Sequence, residues 1–216
     1  MCEYISRNKL KDKKQEFLSW VKKVQKAIKK EHKIHFNYGP IGSGKRNMVI
    51  KQCNTNYFDL DYQIIITRIP KDIDFNKDAK KIKNIFRTTF DKFKPKGFKD
   101  CEDSTQALTT KNNSKGYGFD IIIIRYDQND NFYILYNKKN TNNANNNDYS
   151  WMIRSEMAKH REKFKLIEGA EMWNYLRKIY LDKRHKYKDM IEPSKKKSYQ
   201  ILNEAVNETL EYFDMM

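Results

Sequence analysis

Apolar residues recur at helical spacing in two lysine-rich segments, which predict two amphipathic helices. The first helix covers residues 8–31 and places four apolar side chains on one face: Phe17, Val21, Val24 and Ile28. The second covers residues 76–93 and does the same with Ile82, Phe86, Phe90 and Phe93. Each helix would therefore bury one face against a core and leave its lysines in water.

Shorter segments alternate apolar and polar residues, as half-buried strands do. They predict strands at residues 33–38, 57–69, 104–110, 118–126 and 131–137. The asparagine-rich residues 140–148 predict a loop, and from Trp151 onward the spacing is helical, with a break near Pro193. The order predicts an α+β fold, with a mixed sheet flanked by helices in residues 1–150 and a helical lobe in residues 151–216.

The charge of the chain is strongly positive, with 44 lysine and arginine residues against 28 aspartate and glutamate residues and a net charge of +16. This excess favours a polyanionic partner, whether nucleotides, nucleic acid or phospholipid headgroups. Residues 1–33 are the most basic part, with 11 basic and 4 acidic residues. The first helix is thus a candidate phosphate-binding surface, and a solvated basic face is the alternative. Its candidate residues are Lys22, Lys26, Lys29 and Lys30.

The three cysteines are far apart and form no Cys-x-x-Cys or Cys/His spacing. They predict neither a disulfide framework nor a zinc site, and they favour a reduced, cytoplasmic compartment. No apolar run approaches the roughly 20 residues of a membrane span, and no signal peptide is expected. The sequence does not indicate an oligomeric state.

A pair of carboxylates lies in the second predicted strand, within Asn56-Tyr-Phe-Asp-Leu-Asp-Tyr62. Residues i and i+2 of a strand point to the same face, so Asp59 and Asp61 project together. Such a pair on its own is commonly a solvated edge. Two neighbouring carboxylates repel each other unless a cation lies between them, and Mg²⁺ or Mn²⁺ suits oxygen ligands. Asp120, which opens a later strand, is the candidate third metal ligand if that strand lies beside the second, and all three are candidate catalytic residues. Glu102 and Asp103 flank another strand and are expected to be exposed.

A glycine-rich turn, Gly39-Pro-Ile-Gly-Ser-Gly44, follows the first predicted strand. Gly42 and Ser43 in this turn would offer backbone N–H groups and a hydroxyl to the phosphates of a nucleoside triphosphate. Lys45 and Arg46 follow directly and would add positive charge. These four residues are the candidate nucleotide-binding residues of the first half of the chain.

These motifs resemble a known family. Gly42-Ser43 followed by Asp59-Leu-Asp61 is similar to the signature of the DNA polymerase β-like nucleotidyltransferase superfamily. Residues 104–111 leading into Gly118-Phe-Asp120 resemble the paired strands that carry the third carboxylate there. Within the superfamily, the chain looks most like oligoadenylate synthase and the cyclic GMP–AMP synthase-like enzymes. The resemblance implies template-independent transfer of a nucleotide from a nucleoside triphosphate, ATP by default, to an acceptor hydroxyl with two Mg²⁺ ions, giving a linear or cyclic oligonucleotide.

The resemblance also extends to the C-terminal third and to the first helix. Lys178 matches a phosphate-binding lysine of the family, Ser198 the serine that meets the triphosphate, and Tyr199 the tyrosine that stacks on the base. The basic first helix resembles a helix that contacts double-stranded nucleic acid in some relatives. The chain departs from the family in a longer gap between Ser43 and Asp59 and in a shorter helical lobe.

Two other functions fit parts of the sequence. Gly39 to Lys45 fits the P-loop pattern of an NTPase, but Arg46 stands where that motif needs a serine or threonine hydroxyl for Mg²⁺. A non-catalytic module could instead bind nucleic acid through the lysine-rich helices alone. That second function predicts that the three aspartates are dispensable.

Overall fold

The structure is a computed structural model that describes residues 2–51, 55, 57–138, 148–153, 162–167, 169–187 and 198–214. The chain forms two compact units. The larger comprises Ile5–Val49 and Tyr57–Arg154, and the smaller comprises Met1–Tyr4, Ile50–Asn56 and Ser155–Met216. The larger unit contains the sheet and the three candidate aspartates.

The larger unit has three helices: α1 (Arg7–His32), α2 (Gly42–Lys45) and α3 (Ala79–Lys92). Its strands are β1 (His35–Pro40), β2 (Phe58–Arg68), β3 (Glu102–Asp103), β4 (Ala107–Asn112), β5 (Tyr117–Tyr126), β6 (Phe132–Lys138) and β7 (Asp148–Ile153). The smaller unit contains α4 (residues 162–166), α5 (Gly169–Tyr187) and α6 (Ser198–Tyr212). The predicted α+β fold, a mixed sheet with flanking helices, is confirmed.

The seven described strands form one mixed sheet. Its path runs β1-β2-β5-β4-β3, and β6 pairs with β5 and with β7. Only the pairing of β2 with β5 is parallel; the other pairings are antiparallel. Because parallel strands need a crossover, the chain between β2 and β5 passes through α3 before it returns. This crossover places Asp120 on β5 directly beside Asp61 on β2.

One face of the sheet is covered by α1 and α3. Phe17 of α1 stacks on Tyr62 of β2 with 3.6 Å between ring centroids, and it also packs against Phe119 of β5. Trp20 of α1 contacts Phe90 of α3 and donates its indole N–H to the Phe90 carbonyl at 3.1 Å. The core therefore lies between the two helices and this face, which leaves the opposite face of β2 and β5 for other side chains.

The helix α1 agrees with its sequence pattern. The Ser6 hydroxyl accepts a hydrogen bond from the Lys9 N–H at the N-terminus, and Lys33 ends the helix in a left-handed conformation. The four apolar residues predicted to face the core are all fully buried. Spacing along the chain thus suffices to predict which side of α1 is buried.

The structure corrects two predictions in the larger unit. Trp151 belongs to strand β7 and not to a helix, since it pairs with Leu135 of β6, and its indole N–H donates to the Phe75 carbonyl at 2.7 Å. Asp103, predicted to be exposed, forms an ion pair with the buried Lys83 at 2.6 Å. Of the predicted loop, residues 140–147 lie outside the described residues, and Asp148 begins β7.

In the smaller unit, α5 and α6 pack against each other. Lys183 forms an ion pair with Glu208 at 2.7 Å, and Tyr175 stacks on Tyr212. Cys2 is disulfide-bonded, although the cysteine spacing predicted no disulfide framework; sequence spacing alone does not show which distant cysteines meet in space. The predicted break at Pro193 lies outside the described residues. No described helix is long and apolar enough to span a membrane.

Candidate active site

The face of β2, β5 and β4 opposite α1 and α3 carries the candidate aspartates in a regular register. Asp61 of β2 lies beside Asp120 of β5, which lies beside Thr109 of β4. One row away, Asp59 lies beside Gly118, which lies beside Lys111. Because directly paired residues point to the same face, all three aspartates project from one face, as the spacing predicts. We call Asp59, Asp61 and Asp120 the carboxylate cluster.

Asp61 is the most strongly perturbed member of the carboxylate cluster. Burial and, to a smaller extent, the charges of Asp120 and Asp59 together raise the pKa of its carboxyl to about 7. Within the described part of the chain, neither a hydrogen-bond donor nor a cation offsets this effect. A carboxylate in this position is poorly stabilised by the protein itself, so an added cation would bind there favourably.

The carboxyl group of Asp59 also has a raised pKa, chiefly because it is buried. The hydroxyl of Tyr57 and the charge of Lys111 act in the opposite direction, whereas Asp120 adds to the rise. Gly118 makes room for this arrangement: a Cβ atom there would lie 2.1 Å from the Tyr57 hydroxyl and 2.8 Å from Asp59 Oδ1. Only a residue without a side chain fits beneath Asp59.

Asp120 is held from the other side. Thr109 Oγ1 donates a hydrogen bond of 2.6 Å to Asp120 Oδ1 across the β4–β5 pairing. The carboxylate of Asp120 thus has Asp61 on one side and a hydroxyl donor on the other. Sequence reasoning did not single out Thr109, because its contact depends on the register between two strands.

The glycine-rich turn meets the carboxylate cluster at Asp61. The Ile41 N–H donates to the Asp61 carbonyl at 2.9 Å, and a Cβ on Gly42 would lie 2.9 Å from Asp61 Oδ2. Gly42 has φ +56°, a conformation that favours glycine. The structure therefore brings Gly42 and Asp61 together, as a shared nucleotide site requires.

The other turn residues are arranged around this contact. The Ser43 carbonyl accepts hydrogen bonds from the N–H groups of Arg46 and Met48. Arg46 Nη1 donates to the Gly42 carbonyl at 3.3 Å, which folds its guanidinium onto the turn, while Lys45 is exposed. The P-loop interpretation does not agree with this geometry, because α2 ends at Lys45 and no long helix follows the turn.

The donor set of the carboxylate cluster fits a hard divalent cation, and the glycines at positions 42 and 118 keep side chains away from its oxygens. Among the described residues, however, no three His, Cys, Asp or Glu side chains are grouped closely enough to hold a metal ion as they stand. Asp120 is turned toward Thr109, and Asp59 lies over Gly118. Shared coordination therefore requires the side chains of Asp59 and Asp61 to rotate toward Asp120, whose Oδ1 is held by Thr109 and whose Oδ2 is left for an ion.

The remaining predicted nucleotide-binding residues lie in the smaller unit. Lys178, Ser198 and Tyr199 are all exposed. Arg184 Nη1 donates a hydrogen bond to the Ser198 hydroxyl. Next to Lys178, the Arg177 guanidinium stacks on the Tyr4 ring, 3.9 Å from its centroid. The contacts of these residues with a nucleotide stay predictions.

The predicted nucleic-acid contacts are on the helix surface. Four lysines of α1 are exposed on the side of the helix away from its buried apolar residues. They are Lys22, Lys26, Lys29 and Lys30. Their exposure agrees with a solvated face as well as with a phosphate-binding one.

No protein-family profile and no curated protein match the sequence. Solved structures match the fold. The Vibrio cholerae DncV cyclic AMP-GMP synthase in complex with nonhydrolyzable GTP has a TM-score of 0.59 and 11% identity, covering 82% of this chain and 46% of that chain. The Escherichia coli DncV in its 3'-deoxy GTP bound form has a TM-score of 0.57 and 9% identity, covering 81% and 46%. The STING-associated CdnE c-di-GMP synthase from Capnocytophaga granulosa has a TM-score of 0.57 and 18% identity, covering 98% and 63%.

The chain therefore shares the fold of the DncV and CdnE synthase structures, and the fold that the resemblance implies is confirmed. It spans less than half the length of the DncV structures and 63% of the CdnE structure. Fold alone does not fix chemistry, so activity and substrate must be argued from the site.

Proposed function

We propose that the chain is a metal-dependent nucleotidyltransferase that moves a nucleoside monophosphate from a nucleoside triphosphate, with ATP as the default donor, to an acceptor hydroxyl. The observation that carries the proposal is the carboxylate cluster, which lies beside the Gly42 turn in a nucleotidyltransferase fold. The raised pKa of Asp61, with no cation beside it in the described residues, supports a bound ion.

In this proposal Asp59 and Asp61 would hold both metal ions, and Asp120 would hold the ion that activates the acceptor hydroxyl. Bound Mg²⁺ would supply charge neutralisation of the triphosphate and activation of the acceptor hydroxyl. The protein's own contribution is to hold three carboxylates on rigid neighbouring strands, where little reorganisation accompanies the reaction.

The turn would bind the phosphates. Backbone N–H groups at Gly42 and Ser43 suit phosphate oxygens, and the guanidinium of Arg46 already lies on this turn. By resemblance, Lys178 and Ser198 would bind the triphosphate and Tyr199 would stack on the base. Such stacking contributes about 1–3 kcal/mol and accepts any base.

The product we favour is an oligonucleotide made from nucleotides, cyclic or linear. This proposal is supported by the matching structures, which are named as a cyclic AMP-GMP synthase and a c-di-GMP synthase. The acceptor would then be the hydroxyl of a second nucleotide, so the same carboxylate cluster would act on successive bonds.

The test is incubation of the chain with four labelled nucleoside triphosphates and Mg²⁺ or Mn²⁺, followed by measurement of pyrophosphate and of product mass. Asp59→Asn and Asp61→Asn should each lower pyrophosphate release by about a thousandfold, or about 4 kcal/mol of transition-state stabilisation. Asp130→Asn is the matched control, since Asp130 is an exposed aspartate of the same sheet unit. Full activity of the Asp61→Asn variant would overturn the proposal.

A non-catalytic nucleic-acid module is the second candidate, and the exposed lysines of α1 favour it. The two candidates separate in the same assay when duplex DNA and duplex RNA are added in separate arms. Duplex binding without any nucleotide product would establish the second candidate. A product formed only with duplex present would instead assign α1 an activating role.

A further inference from the structure

Thr109 of β4 makes a side-chain contact with the carboxylate cluster, outside the hydrophobic core. Its side chain is half-buried on the face that carries the carboxylate cluster, and its hydroxyl donates to Asp120 Oδ1 at 2.6 Å. Thr109 is paired with Asp120 in the antiparallel register of β4 and β5. The hydrogen bond therefore joins two rigid neighbouring strands.

We propose that Thr109 is a positioning residue that fixes the carboxylate of Asp120 for metal binding. This inference rests on the proposed function, because it assumes that Asp120 binds the ion. It adds a group outside the carboxylate cluster, on a strand that carries no candidate ligand.

The need for positioning follows from the charges around Asp120. Asp61 lies directly beside it on β2, and Asp59 is one row away on the same face. Mutual repulsion favours rotation of Asp120 away from its neighbours when no cation is present. A hydroxyl that donates to a carboxylate forms a strong, short hydrogen bond, so Thr109 limits the directions that Oδ1 can take.

The residue type also suits this role. Threonine is branched at Cβ, so its χ1 angle is restricted and its hydroxyl direction is defined by the backbone of β4. Groups that orient metal ligands through one hydrogen bond commonly change metal affinity by 10–100-fold when they are removed. Thr109 acts through Asp120 and would not touch the substrate.

The adjacent residue Thr110 provides a matched comparison. It has the same side chain, and its hydroxyl also makes a 2.6 Å hydrogen bond, but to the Lys99 carbonyl. Thr110 points to the opposite face of β4 and is 1% exposed. Loss of the Thr110 hydroxyl therefore removes an equivalent bond without touching Asp120.

The experiment measures Mn²⁺ binding to the full chain by calorimetry at pH 8, without nucleotide, for the wild type and for Thr109→Val, Thr109→Ser and Thr110→Val. We expect Thr109→Val to bind Mn²⁺ about tenfold or more weakly. Thr109→Ser keeps the hydroxyl and should bind within about threefold of the wild type. Thr110→Val should show wild-type affinity with a lower melting temperature, because it loses only a buried hydrogen bond.

Equal Mn²⁺ affinity for Thr109→Val and the wild type would overturn this inference and leave the proposed function standing. Weaker binding by Thr110→Val to the same degree would also overturn it, since a general loss of sheet order would then explain both. A wild type that binds no Mn²⁺ would overturn the inference and the proposed function together. Circular dichroism of each variant confirms that the sheet is intact.

Discussion

The two faces of strands β2 and β5 have opposite chemistry although they alternate along the same residues. One face carries Tyr62 and Phe119, which pack under α1 and are almost fully buried. The other carries Asp59, Asp61 and Asp120, where the charge of Asp120 helps to raise the pKa of both Asp59 and Asp61. The aromatic residues thus add to the stability of the fold, whereas the aspartates between them reduce it.

The aromatic face therefore stabilises the sheet, whereas the face with the aspartates carries the candidate functional groups. A carboxylate that is buried beside like charges destabilises the folded chain, and proteins retain such groups chiefly at functional sites. The aromatic face compensates by burying large rings. Substitutions on the two faces should therefore change different quantities, and four experiments can test that separation.

The largest effect on stability is expected from Phe119→Ala. Phe119 is 0% exposed and lies within 6.2 Å, centroid to centroid, of five other rings: Phe17, Trp20, Tyr62, Phe98 and Tyr117. Removal of a buried phenyl ring costs about 3–5 kcal/mol. Urea denaturation followed by circular dichroism measures the loss, and Phe119→Leu should lose less. A cost below 1 kcal/mol would show that the aromatic face is not the main support.

Gly118→Ala should lower both the stability of the sheet and its affinity for Mn²⁺. A Cβ at this position would lie 2.7 Å from the Thr110 carbonyl oxygen, a backbone atom that cannot easily move, and 2.8 Å from Asp59 Oδ1. We expect a stability loss of about 1–3 kcal/mol together with weaker Mn²⁺ binding. Gly39→Ala is the control, because nothing lies within 4 Å of a Cβ there. A Gly118→Ala variant as stable as the control would contradict the crowding.

The pH dependence of the free energy of unfolding should show the effect of the raised pKa of Asp61. Its pKa is raised to about 7 in the folded chain, so the folded state binds a proton more tightly than the unfolded one. The resulting destabilisation is present above about pH 7 and is relieved as the pH falls toward 4. Relative to Asp61→Asn, the metal-free wild type should gain on the order of 1–3 kcal/mol between pH 8 and pH 5. Thermal melts at each pH measure this difference.

Mg²⁺ provides the complementary arm of that experiment. At pH 8 it should raise the melting temperature of the wild type, because it binds only the folded carboxylate cluster. The Asp61→Asn variant should show a much smaller rise. The same rise in both proteins would place the ion elsewhere.

The smallest effect on stability is expected from the surface of α1. Lysine-to-glutamine changes at positions 22, 26, 29 and 30 should alter the free energy of unfolding by less than about 1 kcal/mol in total, because these side chains are exposed. If the proposed duplex contact is correct, the same variant should bind duplex about tenfold more weakly with a shallower salt dependence. Unchanged duplex binding would leave these lysines as a solvated face.

Much of the fold was predictable because it depends on residues that are close in sequence. The helix α1 and the alternation of β2 follow from spacing alone, and so does the shared direction of Asp59 and Asp61. The family resemblance was needed to predict that Asp120 lies beside Asp59 and Asp61. The pattern of either strand alone does not show the parallel register of β2 and β5. The roles of these aspartates stay predictions.

The features that sequence reasoning missed all depend on distant partners. Trp151 was predicted to be helical, but it lies in β7, where it pairs with Leu135 of β6. Asp103 was predicted to be exposed, but it forms an ion pair with Lys83. Lys83 in turn was predicted to lie on the solvated face of its helix. Thr109 lies in a predicted strand, and only the register of β4 against β5 shows what its hydroxyl contacts.

The parallel pairing of β2 with β5 determines when, during synthesis and folding, the carboxylate cluster can be completed. Asp59 and Asp61 emerge during synthesis well before Asp120, and the crossover through α3 must form before the two strands can meet. A nascent chain that ends short of β5 therefore lacks Asp120, the third of the proposed metal ligands. Contacts between strands so far apart in sequence are slow to form, so metal affinity should be among the last properties to appear during folding. Mn²⁺ binding would thus report, in a folding experiment, that β2 and β5 have paired.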